Sequence, residues 1–312
     1  MKIVRAGARS RRDFLRLAAG AGGLVALGCG GEQLQPAPLV AIDSTPSTAS
    51  PTSVPAEPSP TATPDPPPPA GREVRTLLPG TPYETALYIT HSGHRGVTVM
   101  VLGGVHGNEP GGWLAADAIA AWEPNAGSLL VIPRANVLAL ESFVRTTEAL
   151  GDLNRLYPGN PGGLPMERMA HDIVELAREF GVSLLLDLHE SWGFWIDRPQ
   201  SGTAYLGQTV TTGVGPLAPH FGQQVVDAVN PSIGDGRDRL LVRDGATFRR
   251  MDNPATGGPT ATRGRSSLAL GGHVEGLTPV LVEMGQQDQP LERRVELHLA
   301  VARAALELVG VL

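Results

Sequence analysis

Residues 97–112 read VTVMVLGGVHGNEPGG, an apolar run followed by a glycine-rich turn that carries one histidine and one glutamate. The run at 97–102 has the continuous apolar character of a strand buried on both faces. Its glycines allow the backbone to leave the strand tightly, so that His106 and Glu109 can converge on one metal ion from a single loop. The same spacing also occurs in ordinary surface turns, and the rest of the chain must distinguish the two interpretations.

Apolar runs alternate with amphipathic segments along residues 86–310. The pattern predicts strands at 86–93, 97–105, 128–137, 183–191 and 279–285, and helices at 110–122, 166–181 and 290–310. Continuous apolar strands that alternate with helices favour an α/β fold with a largely parallel sheet covered on both faces. Residues 200–275 have weak periodicity and are rich in Gly, Thr and Asp, so we predict long loops that shape a pocket.

Ionisable residues lie at the ends of three predicted strands. The run at 97–105 leads to His106 and Glu109, the run at 183–191 to His189, and the run at 279–285 to Glu283. Ligands gather beyond the carboxyl ends of strands in such sheets. Two imidazoles and one carboxylate are a common catalytic zinc set, and a fourth acid can take a proton from water at the metal. Taken singly, each residue is more often structural, so only the joint arrangement supports a metal site.

Four motifs occur in order along the chain: GGVHGNEPGG (103–112), GDLNRLYPG (151–159), DLHES (187–191) and VLVEMG (280–285). Together they resemble the zinc carboxypeptidase superfamily, and most closely its succinylglutamate desuccinylase/aspartoacylase branch. The resemblance implies a three-layer αβα sandwich with a mostly parallel, mixed central sheet. It also implies one Zn²⁺ per chain, held by His106, Glu109 and His189.

The same resemblance implies roles for four further residues. Asn154 and Arg155 would bind a substrate carboxylate, for which the planar guanidinium is well suited. Glu283 would act as general base and proton shuttle, and Arg145 would polarise the scissile carbonyl. The implied activity is hydrolysis of an amide bond in a peptide or an N-acyl amino acid.

The choice between these two substrate classes remains open. Only 29 residues follow Glu283, and they predict a single helix, whereas the aspartoacylase branch carries a β-rich domain there. This favours a peptide, such as a cell-wall peptide. A catalytically silent lipoprotein that binds a ligand on the same scaffold is the alternative from another class, although the intact ligands and Glu283 count against it.

Other polar residues near these motifs have structural interpretations. Asp187 shares the face of His189 and is predicted to orient its ring or to close the strand, whereas Glu190 points to the opposite face. His91 and His94 are predicted to lie in a solvated turn, and we expect His171 and His298 on helix surfaces. The sequence does not distinguish which tyrosine or arginine of 200–275 assists catalysis.

The first 29 residues have the features of an export signal. Residues 10–16 resemble a twin-arginine signal, and residues 26–29 resemble a lipoprotein cleavage box that ends in Cys29. We therefore predict export by the twin-arginine machinery, lipidation of Cys29 and a position on the extracytoplasmic face of a bacterial membrane, with contact to the membrane only through this anchor. An ordinary signal peptide with an incidental cysteine is the alternative.

Residues 30–71 hold 12 of the 28 prolines together with Ser, Thr and Ala. Such a segment cannot bury enough apolar surface to offset its ordering entropy, so it is predicted to be a disordered tether. Residues 72–312 then form the catalytic domain.

Composition excludes several classes of function. Cys29 is the only cysteine and Lys2 the only lysine, which excludes disulfides, a cysteine nucleophile, a thiolate zinc site, a P-loop and a Schiff-base lysine from the domain. From residue 72 onward, 19 Arg stand against 26 acidic residues, a net charge of −7 that argues against nucleic-acid binding.

Overall fold

The computed structural model describes residues 66–312 except 148, 200–201, 235 and 244–264. The predicted signal peptide, Cys29 and most of the predicted tether lie outside the described residues. The first strand begins at Gly71, the last residue assigned to the tether.

The core of the domain is one mixed sheet of eight strands. They are β1 Gly71–Leu77, β2 Thr85–His91, β3 Thr98–Leu102, β4 Ser128–Ile132, β5 Val182–Ser191, β6 Thr209–Thr212, β7 Leu241–Arg243 and β8 Thr278–Gly285. Their order is β1-β2-β4-β3-β5-β8-β6-β7. The central strands β4, β3, β5 and β8 are mutually parallel, β2 and β6 flank them in the antiparallel direction, and β7 is parallel to β6. The central strands are almost wholly apolar, as expected for strands covered on both faces.

Helices cover both faces of the sheet. They are α1 Pro110–Ile119, α2 Val137–Glu141, α3 Pro165–Glu179, α4 Phe221–Ile233 and α5 Leu291–Leu308, with 3₁₀ helices at Leu153–Arg155 and Ser267–Gly272. The apolar side chains of α3 pack with one face of β3, β4 and β5, and those of α1, α4 and α5 pack with the other. The predicted α/β fold with three layers is therefore confirmed. Within the described residues, no helix is both long enough and apolar enough to span a bilayer.

The long apolar and amphipathic segments predicted from the sequence are all present. The prediction of long loops at 200–275 is wrong for much of the part that the structure describes, whereas residues 244–264 lie outside the described residues. The described part of 200–275 contains β6, α4, β7 and the 3₁₀ helix Ser267–Gly272. Strand β6 reads TVTT and lacks the apolar run that would predict a strand. Hydrogen bonds to β8 and β7 hold it in the sheet instead. Helix α4 buries Val225, Val226 and Val229 but contains Pro231, which weakens the helical pattern.

The sheet places three predicted site segments at one edge. Strands β3, β5 and β8 are parallel, so the residues that follow β3 lie at the same edge as the C-terminal halves of β5 and β8. His189 and Glu283 are direct partners in the β5–β8 register. Side chains alternate along a strand, so Asp187, His189 and Glu283 share the face covered by α3, and Glu190 lies on the opposite face.

Candidate metal centre

The loop between β3 and α1 brings His106 and Glu109 together. Glu109 is the residue that precedes Pro110, the first residue of α1. Gly107 packs directly against the backbone of α2, and a Cβ at this position would overlap the main-chain carbonyl of Ala139. Only glycine therefore allows this loop to fold close enough for both side chains to turn inward.

His106, Glu109 and His189 form a buried cluster whose ligand atoms lie within 4.8 Å of one another. The Nδ1 atom of His106 is 2.7 Å from Oε1 of Glu109, and Nδ1 of His189 is 2.7 Å from Oε2 of the same carboxylate. The two Nδ1 atoms are 3.0 Å apart. The three predicted ligands are thus together, and they are the one such group of His, Cys, Asp or Glu found in the described part of the chain.

Each imidazole is held from behind by a carboxylate. Nε2 of His106 is 3.1 Å from Oδ1 of Asp152, and Nε2 of His189 is 3.0 Å from Oδ2 of Asp187. This arrangement leaves both Nδ1 atoms facing the centre of the cluster and matches the carboxylate–histidine pairs found behind metal ligands. Of the two interpretations of Asp187, the geometry supports orientation of the ring. Asp152 was not singled out from the sequence, although it lies within the GDLNRLYPG motif.

The electrostatics of the cluster favour a cation. Burial alone would raise the pKa of Glu109, but the two imidazoles overcome this effect and hold it far below its usual value. Burial opposes a charge on His189, yet the carboxylates of Asp187 and Glu109 raise the pKa of that imidazole well above its usual range. For Asp152, burial is likewise outweighed, by His106 and Arg145, and the pKa of this carboxyl is strongly lowered.

The donor set fits a zinc ion. Two imidazole nitrogens and a carboxylate are the ligands of a common class of catalytic zinc site. Two Nδ1 atoms only 3.0 Å apart, each turned toward the same buried carboxylate, cannot both carry a proton without repulsion. A cation placed among them would satisfy all three groups at once.

Arg145, Asn154 and Arg155 all lie beside this cluster. Nη2 of Arg145 is 3.2 Å from Asp152 and its Nη1 is 3.4 Å from Glu109. Burial lowers the pKa of Arg145, but the carboxylates of Asp152, Glu109 and Glu283 raise it overall. Nδ2 of Asn154 is 3.3 Å from Nε2 of His189, and Arg155 donates to the main-chain oxygen of Asn154. The structure thus brings every predicted site residue of the folded domain to one edge of the sheet.

Glu283 is buried, and its Oε2 has no hydrogen-bond partner among the described residues. Burial raises the pKa of this carboxyl above its usual value, His189 and Arg243 lower it, and Glu109 raises it. Arg243 is buried on the same face, and its guanidinium lies 4.6 Å from the ring centroid of Trp195. Among the late arginines that the sequence did not distinguish, Arg243 is therefore one that the fold places near Glu283.

The predictions for the other histidines and for Glu190 have mixed outcomes. Glu190 lies on the opposite face, as predicted, where its Oε2 accepts from Arg294 at 2.7 Å. The prediction of a surface position for His298 is wrong, because its side chain is fully buried on α5. His94 is exposed in the predicted turn, whereas His91 belongs to β2 and its Nδ1 is 2.7 Å from the hydroxyl of Ser128.

Comparison with known proteins confirms the resemblance. Residues 95–192 match the family model described as the succinylglutamate desuccinylase/aspartoacylase catalytic domain, a span that contains the three candidate ligands and ends before Glu283. No curated protein matches the chain significantly in sequence.

Solved structures share the fold. Product-bound cell shape determinant protein Csd4 from Helicobacter pylori is 17% identical with a TM-score of 0.57, and the match covers 78% of this chain and 56% of that one. An aspartoacylase family protein from Mesorhizobium loti is 21% identical with a TM-score of 0.52, covering 78% and 68%. A succinylglutamate desuccinylase/aspartoacylase from Rhodobacter sphaeroides is 19% identical with a TM-score of 0.51, covering 78% and 66%. The chain spans about half the length of the Csd4 structures.

Proposed function

We propose that this protein is an exported, zinc-dependent hydrolase of amide bonds in substrates that carry a carboxylate. One observation carries the proposal. The Nδ1 atoms of His106 and His189 converge on the carboxylate of Glu109, and Glu283 lies directly beside His189 in the sheet register. A three-ligand metal site with a buried, unpaired carboxylate next to it is the arrangement that metal-assisted hydrolysis requires.

His106, Glu109 and His189 would hold the zinc, one ion per chain. When bound, zinc supplies Lewis acidity toward water and toward the amide carbonyl. Asp152 and Asp187 keep the two imidazoles turned so that Nδ1, rather than Nε2, faces the centre.

The chain's own residues provide proton transfer and charge stabilisation. Glu283 accepts a proton from the attacking water and returns it to the leaving nitrogen, so that the C–N bond breaks after the new C–O bond has formed. The raised pKa of this carboxyl suits a group that must both accept and release a proton near neutrality. Arg145 donates to the oxygen on which negative charge develops. Asn154 and Arg155 bind the substrate carboxylate, and this contact positions the scissile bond.

Two substrate classes fit this chemistry, and of these we propose peptides rather than N-acyl amino acids as the substrate. Csd4, with which the chain shares its fold, is described as a D,L-carboxypeptidase, and its structures contain a tripeptide or mDAP. Those ligands are short peptides or amino acids that carry carboxylates, as the pairing of Asn154 with Arg155 requires. Deacylation of N-acyl amino acids would use the same ligands, base and carboxylate contact.

The proposal also includes the location of the enzyme. The twin-arginine signal and the lipidation of Cys29 would place the domain on the extracytoplasmic face of a bacterial membrane, at the end of the proline-rich tether. A domain in this position meets cell-wall peptides. Replacement of Cys29 by Ser in the full-length chain should release the protein from the membrane fraction, and unchanged membrane association would contradict lipidation.

Metal content and the role of Glu283 are tested together. Elemental analysis of the purified domain should give one zinc per chain. If no zinc is bound even after loading, the proposed enzymatic activity is contradicted and a catalytically silent binding protein remains as the alternative. Glu283→Gln should retain the zinc and lower kcat by about 10²–10⁴-fold, the usual contribution of a general base. Glu275→Gln, an exposed glutamate just before β8, is the matched control and should leave both values unchanged.

A substrate panel then decides between the two classes. The zinc-loaded domain would be assayed against short peptides, cell-wall stem peptides and N-acyl amino acids, each with a free carboxylate and as its carboxyl amide. We expect cleavage of a peptide with the free carboxylate and a large loss of kcat/KM for its amide. Equal rates for the two forms would contradict the role of Asn154 and Arg155.

A further inference from the structure

Ser267 is a buried serine that contacts two residues of the site at once. It is the first residue of the 3₁₀ helix Ser267–Gly272 and is fully buried. Its hydroxyl donates to Oδ2 of Asp187 at 2.6 Å, and its main-chain N–H donates to Oδ1 of Asn154 at 2.9 Å. Both residues in turn face Nε2 of His189, Asp187 through Oδ2 at 3.0 Å and Asn154 through Nδ2 at 3.3 Å.

The chemistry of these contacts fixes the orientation of Asn154. A main-chain N–H can only donate, so the atom of Asn154 that it meets must be the carbonyl oxygen Oδ1. The amide NH₂ of Asn154 therefore points the other way, toward His189. A flipped amide would place two donors against each other and leave the N–H of Ser267 unpaired in a buried position.

The same contacts fix the proton on His189. The carboxylate of Asp187 only accepts, so its Oδ2 receives the hydroxyl of Ser267 and the Nε2–H of His189. Nδ1 of His189 is then the nitrogen that faces Glu109 and His106 and that would bind a metal ion. Because Nε2 donates its proton to Asp187, the 3.3 Å contact between Nε2 and Nδ2 of Asn154 is not a hydrogen bond, and the NH₂ group of Asn154 remains available for a substrate carboxylate.

Main-chain hydrogen bonds hold Ser267 in this place. Tyr157 N donates to Arg265 O at 3.1 Å, and Arg265 N donates to Tyr157 O at 2.9 Å. Residues 265–267 are thus paired with residues 154–157, while the side chain of Ser267 reaches β5. This serine connects three segments that are distant in sequence and that each contribute to the site.

We propose that Ser267 is a positioning residue of the metal centre, because its hydroxyl holds Asp187 against His189 and its main-chain N–H fixes the amide of Asn154 with its NH₂ group on the side of His189. The inference rests on the proposed function, because it takes His189 as a metal ligand and Asn154 as a residue that binds the substrate carboxylate. Ser267 acts through Asp187 and Asn154 and does not itself touch the ligands.

The test compares Ser267→Ala with Ser266→Ala. Ser266 is the neighbouring buried serine and makes no hydrogen bond to Asn154, Asp187 or either ligand histidine. Zinc affinity would be measured by competition with a chelator, and we expect Ser267→Ala to weaken it about 10–100-fold, the usual cost of losing a partner behind a metal ligand. Ser266→Ala should bind zinc like the wild type. At saturating zinc, KM of Ser267→Ala should stay within about threefold of the wild type, since the main-chain N–H that orients Asn154 remains.

Two further measurements separate positioning from general destabilisation. Asp187→Asn alone should weaken zinc binding, and adding Ser267→Ala to it should cause little further loss, because the serine acts through that carboxylate. In the metal-free protein, the Nε2–H resonance of His189 in an imidazole ¹H–¹⁵N spectrum should shift in Ser267→Ala and not in Ser266→Ala. Fully additive losses, or identical zinc affinity and resonances in the two alanine variants, would overturn the proposal. Failure of the wild type to bind zinc would instead contradict the proposed function, and the metal-free spectra would still decide the role of Ser267.

Discussion

His298 should make the folded domain less stable below neutral pH. Its side chain is fully buried on α5, and burial, together with the positive charge of His189, lowers its pKa from 6.5 to about 3. Between these values the unfolded chain binds a proton that the folded chain does not, so stability falls as pH falls below about 6.5. The slope approaches 1.36 kcal/mol per pH unit, and from pH 7.5 to pH 5.0 the expected loss is about 2 kcal/mol.

Urea unfolding of the metal-free domain at these two pH values measures this loss. The wild type and His298→Leu would be compared, because all other ionisable groups are common to both proteins and their contributions cancel in the difference. The wild type should lose about 2 kcal/mol more than His298→Leu between pH 7.5 and pH 5.0. His94→Leu, at an exposed position, serves as the control and should behave like the wild type. A difference below about 0.5 kcal/mol between the wild type and His298→Leu would refute the reasoning, since such a value lies within the ordinary scatter of surface substitutions.

Two further predictions concern the packing around the candidate ligands. Arg294→Met leaves the carboxylate of Glu190 buried without its cation and should lower the free energy of unfolding by about 3–5 kcal/mol. Adding Glu190→Gln to this variant should recover most of the lost stability, and unfolding curves that show no recovery would contradict the pairing. Gly107→Ala places a methyl group against the main chain of Ala139 and should destabilise the domain by about 1–3 kcal/mol and weaken zinc binding, whereas Gly162→Ala, where a Cβ has room, should change neither.

The ligands could be predicted from the sequence because each follows or ends a long apolar run. Such runs identify buried strands, and the carboxyl ends of parallel strands meet at one edge of a sheet. His106, Glu109, His189 and Glu283 were therefore found together before any geometry was known. Asn154 and Arg155 lie in a separate motif, GDLNRLYPG, and were expected in the site from the family resemblance.

Residues that support the ligands from distant segments could not be predicted in this way. Ser267 follows a weakly patterned segment, and nothing in its neighbours indicates a contact with Asp187. The helical pattern at 290–310 predicts a surface position for His298, which is wrong. The small residues Ala302 and Ala305 are also buried and widen the buried face of α5, which includes His298. Strand β6 is not predicted for a related reason, since Thr209 and Thr211 are buried although they are polar, in a strand paired with β8.

The direct pairing of His189 with Glu283 fixes the distance between a candidate metal ligand and the proposed base by the spacing of two adjacent strands, about 4.8 Å between main chains. Strand β5 is itself paired on both sides, with β3 and β8, so this spacing belongs to the most constrained part of the domain. Loop substitutions around the candidate site would then alter which substrates bind, and thus KM, while the rate of the chemical step stays nearly constant. Substrate preference in this scaffold can therefore diverge without any readjustment of the reacting groups.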